Sequence, residues 1–103
     1  MDWVAEQFVV FVAPGGRRWR GRIAIGMPEQ DDMAWGCRVV AEGVVDIPGP
    51  IFGESALQAM VLALRFLGGQ LHHFIENGGR ALEPHGESDA RLDLTFGAMW
   101  CRP

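Results

Sequence analysis

Cysteine is nearly absent from this chain of 103 residues: Cys37 and Cys101 stand alone, far apart, and exclude a disulfide framework. Structural zinc usually announces itself through close pairs such as Cys-x₂-Cys, and there are none to join the histidines. Lysine and tyrosine are missing altogether, and the basic residues are all Arg. Long apolar runs are missing too. The longest in the central helical stretch, 59–64, is far short of the roughly 20 residues that a bilayer span needs. The chain opens without a basic segment or an apolar leader core, so a soluble, cytoplasmic protein is expected. There is no Ser-His-Asp ordering, glycine-rich phosphate loop or dinucleotide fingerprint. Gly78-Gly79 follows a helical stretch, the wrong end for binding an anion.

What is present is globular. Hydrophobic residues at 49% against 21% charged ones exclude a disordered chain. The length suits one domain, 1–103, with a single core. A net charge of −4 argues against a general nucleic-acid binder.

The stretch 52–79 organises the rest. Leu57, Met60, Val61, Leu64, Leu67, Leu71, Phe74 and Ile75 recur at three- and four-residue steps, so they form one apolar stripe of a helix. Two starts compete: Gly53 as N-cap, with Phe52 and Leu57 as a hydrophobic staple, or the capping box Ser55-x-x-Gln58. Asn77-Gly78-Gly79 is a stop, because Asn and Gly tolerate the left-handed conformation that ends helices. Gly68-Gly69 inside the helix implies a kink or a close approach to a sheet, with a break into two helices as the alternative. Ala59, Leu62, Ala63 and Phe66 make a second apolar flank, which calls for a second cover.

Before the helix, 3–12 reads as a strand buried on both faces near its end, hence central. Ala13-Pro14-Gly15-Gly16 is a turn. Residues 17–25 alternate cleanly, with Trp19, Gly21, Ile23 and Ile25 opposite Arg18, Arg20 and Arg22, and form the second strand of a hairpin. An acidic loop over 26–32 leads to a third strand over 34–41, with Trp35, Cys37 and Val39 on one face. Residues 44–47 give either a short fourth strand or the end of a strand bulged at Gly43. Pro48-Gly49-Pro50 delivers the chain to the helix. After it, 80–90 reads as a loop, and 91–96 as a short strand or extended arm with Leu92, Leu94 and Phe96 on one side. The apolar end, 98–101, calls for a cover. The fold class that follows is α+β: an antiparallel sheet of three to five strands with one long helix across one face.

Ile25-Gly26-x-Pro28, Trp35-x-Cys37 and Ile51-Phe52-Gly53-x-Ser55-Ala56-Leu57-Gln58-Ala59-Met60-x-Leu62-Ala63-Leu64 together resemble a family of small bacterial proteins of unknown function. The likeness spans residues 17 to 75. It implies strands followed by a helix and carries no activity, so no catalytic residue is transferred.

No pattern points to a catalytic set. Adjacent histidines such as His72 and His73 diverge by about 100° on a helix and do not converge on one metal, and no cofactor is expected. Cys37, beside Trp35 in a strand, reads as a core thiol. The arginine row and Trp19 fall on opposite strand faces, which disfavours stacking and phosphate contact on the same nucleic-acid strand. Two function classes remain. One is a non-enzymatic interaction protein, of the immunity type that binds and neutralises a partner protein, and a homodimer through Leu62, Phe66 and Trp100. The other is a ligand-binding or enzymatic domain with a pocket between helix and sheet near Trp35, Cys37, His72 and His73.

Overall fold

The structure, a computed structural model, describes residues 2–85 and 87–100. In chain order its elements are β1 (Trp3–Val12), β2 (Arg18–Gly26), β3 (Glu29–Asp31), β4 (Ala34–Cys37), β5 (Val39–Ala41), β6 (Ile51–Gly53), α1 (Ala56–Glu76), β7 (Arg80–Leu82) and α2 (Leu92–Phe96), followed by a 3₁₀ turn, Gly97–Met99. The architecture is α+β: antiparallel sheets with the long helix α1 against them.

The β1–β2 hairpin closes through the turn at 13–16, where the Ala13 amide donates to the Arg17 carbonyl at 2.8 Å. It forms the middle of a four-stranded sheet ordered β5-β2-β1-β7, and β3-β4-β6 form a second sheet. The two sheets are joined by one bent ribbon. The strand expected over 34–41 breaks at Arg38, with β4 pairing in one sheet and β5 in the other. The Gly26 amide bonds to the Arg38 carbonyl at 2.8 Å and the Cys37 thiol donates to the Gly26 carbonyl at 3.3 Å, so the bend loses few hydrogen bonds.

Several loops of the sequence reading are strands, and one strand is a helix. Residues 29–31, expected in an acidic loop, pair with β4 although all three are exposed; backbone pairing alone makes them a strand. Residues 51–53 pair with β4 on its other side, and 80–82 pair with β1. Residues 44–47 form no separate strand: Val45 only bridges back to Ala41. Residues 92–96 are helical, because Leu92 and Phe96 are also one helical turn apart. Leu92 is buried and Phe96 half-buried, while Leu94 faces solvent.

With Gly53 spent in β6, Ser55 caps α1: its hydroxyl accepts from the Gln58 amide at 3.0 Å, and the Gln58 side chain accepts from the Glu54 amide. At the other end the Asn77 side chain donates to the His73 carbonyl at 2.8 Å and Gly78 takes a φ of +98°.

The face that α1 buries differs from the expected stripe. Ala59, Ala63, Leu67 and Leu71, four residues apart, are buried against Val9, Phe11, Ile23, Cys37 and Val39, whereas Leu57 is 73% exposed. Alanines bring the helix axis close to the sheet, so small size outweighs hydrophobic mass at the point of closest approach. Each buried leucine contributes about 1.5–3 kcal/mol. The flank expected to need a second cover, with Ala59 and Ala63, is thus the one on the sheet, and the chain's own C-terminal segment covers the other side of the helix at Gly68 and His72. A Cβ on Gly68 would lie 2.5 Å from the Met99 carbonyl oxygen, so the glycine admits that segment, not a sheet, and α1 runs through it unbroken.

An aromatic cluster, Phe11, Trp19 and Phe74, with ring centroids 5.5–6.4 Å apart, closes the core below the hairpin turn. The Trp19 indole donates to the Glu42 carbonyl at 2.7 Å, and Gly43 turns beneath the ring at φ +83°, where a side chain would collide with it.

Candidate strand-docking edge

The residues proposed for a pocket between helix and sheet are not brought to one cavity. Cys37 is fully buried, and burial pushes its thiol pKa up, which keeps it protonated and unreactive. His72 packs edge-on against Trp100, ring centroids 5.0 Å apart, with Nδ1 3.6 Å from a Glu76 carboxylate oxygen. His73 is exposed beside Asn77 at the helix end, and Trp35 is half-buried on β4. None of the four cavities described for this chain is lined by any of these residues. Cys101 lies outside the described residues. Among the described residues no group of three or more His, Cys, Asp or Glu is placed to hold a metal. No helix among them is long and apolar enough to cross a membrane.

The candidate dimer residues are also placed within the chain. Trp100 stacks on Phe96 at 6.1 Å and meets His72, while Phe66 packs against the core and Leu62 is half-buried. The apolar helix surface left in solvent belongs instead to Leu57 and Val61.

The arginine row divides. Arg18 and Arg20 are solvated as expected. Arg22 is half-buried and paired: it meets Glu6 at 3.3 Å and Glu42 at 3.8 Å, the carboxylates expected beside this row, and lies over the Trp3 ring at 5.0 Å. Trp19, on the core side, is capped by Arg17 at 4.4 Å.

A site does emerge where β1 outruns its partner. β2 pairs with β1 over its whole length, but β7 covers only Val10–Val12 on the other side. From Val4 to Val9 that second edge has no strand beside it among the described residues. In antiparallel geometry alternate residues turn both N–H and C=O to one side, so about half of these six present a full backbone pair outward. The usual guards of an edge are scarce: there is no Pro or Lys in the segment, and Glu6 is engaged by Arg22. A register irregularity sits only at its start, between Trp3 and Ala5. Phe8 is 58% and Val4 47% exposed.

Beneath this end of β1, and reaching under Ile23 and Ile25 of β2, runs an apolar groove of about 350 Å³. Ala5 and Gln7 roof it, Leu64 and Leu67 of α1 form its floor, and Phe96 and Met99 of the C-terminal segment form its wall. A strand laid along β1 would direct alternate side chains into it. The sequence reading missed this site because 80–82 was taken as loop, so a strand of ten residues with a partner of three was invisible. The signal that could have found it was the broken alternation of 3–8, where Val4 and Phe8 are apolar without a buried face to serve.

Comparison of the chain with protein-family models, with curated proteins and with solved structures gave no match.

Proposed function

We propose that this protein is a non-enzymatic interaction domain that accepts an extended segment of a partner protein as an added strand along β1. The observation that carries the reading is the unpaired edge over Val4–Val9 lying above an apolar groove. Such an edge supplies affinity through main-chain hydrogen bonds and selectivity through alternate side chains in the groove. The incoming strand would run antiparallel to β1, in line with β7, which already occupies the same edge over Val10–Val12. Neutralising a partner, as immunity proteins do, is one use of this surface. The enzymatic alternative has less support, since Cys37 is buried, His72 packs on Trp100 and His73 is exposed beside Asn77 at the helix end.

Hydrogen exchange and peptide display test the reading together. In the free protein alternate amides of residues 4–9 should exchange fast while their neighbours, bonded to β2, are slow. Peptides selected from a random displayed library should alternate apolar and polar residues, slow those fast amides, and lose binding to Ala5→Arg. Uniformly slow amides in the free protein, or selected peptides that protect another surface, would refute it.

A further inference from the structure

A second cavity lies where the end of α1, β7 and the start of α2 meet, and it shares no lining residue with the groove under β1. Its volume, about 370 Å³, is in the range of small-molecule sites. Ile75, Leu92 and Trp100 give it an apolar lining. Trp100 is backed by His72 and Phe96, which hold the indole in place.

The polar part of the lining is two Arg–Asp pairs. Arg91 grips Asp93 through two contacts, Nε to Oδ1 at 3.1 Å and an η nitrogen to Oδ2 at 3.0 Å. Arg80 meets Asp89 through a single contact of 3.4 Å, leaving guanidinium N–H groups and one carboxylate oxygen for another partner. Arg91 also sits at φ +53°, ψ +54°, a left-handed conformation that side chains other than Gly, Asn and Asp seldom adopt. Strain of this kind collects at ligand sites, where the surroundings impose it.

From this juxtaposition we infer that the cleft binds a small zwitterion with an apolar side chain, of the class of free hydrophobic amino acids. The carboxylate docks on Arg80, the ammonium on the open oxygen of Asp89, and the side chain lies between Trp100, Ile75 and Leu92. Charge complementarity selects this class. A rim of balanced Arg–Asp pairs favours neither an anion nor a cation alone, and a dipolar head group satisfies both ends at once.

The test is an NMR titration of the full chain with L-phenylalanine and L-leucine, beside N-acetylphenylalanine and phenylalaninamide, each lacking one charge. The free amino acids should give saturable shifts of the Trp100 indole N–H and of the Arg80 and Leu92 amides. Each capped compound should bind about tenfold or more weakly, the scale of one lost charge-assisted hydrogen bond. Arg80→Gln should weaken the free amino acids to a similar degree. Arg80 is largely exposed, so the variant should fold; if it does not, Asp89→Asn makes the same test at the ammonium end. Absence of saturable shifts up to about 10 mM, where even weak sites fill, would overturn the inference. So would capped compounds that bind equally, or an Arg80→Gln affinity equal to that of the wild type.

Discussion

The two halves of β1 share a strand, a pairing partner and a similar supply of apolar residues, yet they have opposite fates. Val9 to Val12 are all buried: Val9 and Phe11 under α1, Val10 and Val12 with Leu82 in a second cluster. Val4, Ala5, Glu6 and Phe8 are all exposed. The difference is coverage and not composition. β7 reaches three residues along the edge and stops, and α1 crosses the sheet beneath the far half. A strand is therefore only as buried as its neighbours are long, and the uncovered remainder is a surface with hydrogen bonds to offer.

The largest effect expected is the contrast between two phenylalanines three residues apart. Phe11→Ala removes a fully buried ring and should cost about 3–5 kcal/mol. Phe8→Ala should stay within about 0.5 kcal/mol, as at ordinary surface sites. Urea denaturation midpoints of both variants measure the difference. Equal losses would mean that the outer half is covered in solution, and the open edge would no longer exist.

Gly68→Ala probes the wall of the groove under that half. On an unobstructed helix the change should stabilise by about 1 kcal/mol. Here the new Cβ meets backbone of the C-terminal segment, and the net effect should be a loss of about 1–3 kcal/mol. Thermal unfolding decides the sign; a raised midpoint would show that the segment leaves the helix easily.

Arg22→Gln should cost about 1 kcal/mol, since it loses Glu6, Glu42 and the Trp3 ring while remaining partly in water. Arg18→Gln and Arg20→Gln should each stay below about 0.5 kcal/mol. Urea midpoints that did not separate Arg22 from the other two would show that the outer half is held by its pairing with β2 and not by these side-chain contacts.

The smallest effect concerns acid. Hydrogen bonding from the Arg91 guanidinium holds the Asp93 carboxyl below the usual carboxylate range. Because the folded value is the lower one, the stabilisation is complete above the unfolded value, near about 3.9, and is lost as pH falls through the folded value. The Trp100 indole N–H should report a small transition below the usual carboxylate range in the wild type and none in Asp93→Asn.

Much of this was legible in the chain. The hairpin over 3–25, its Pro-Gly-Gly turn, the helix with its Asn77-Gly78 stop, and the outward Arg18 and Arg20 all follow from periodicity and from side chains that bond or bend their own backbone. Local chemistry determined them, because each signal and its consequence lie within a few residues. Between the two starts read for the helix, Gly53 and Ser55, the pairing of Gly53 in β6 decided. Only the tertiary structure decided the rest. Ile51–Gly53 and Arg80–Leu82 are strands because edges far away in the chain needed hydrogen bonds, whereas Glu29–Asp31 is one because Asp32, at φ +50°, folds it back onto β4. Leu92 and Phe96 fit a strand and a helical turn equally well, and docking against α1 selected the helix. Ala59 and Ala63 became the buried face of α1 because closeness to the sheet rewards small size, which a count of hydrophobic mass does not register. The open edge of β1 is the plainest case: it exists through the shortness of a strand almost seventy residues further along the chain.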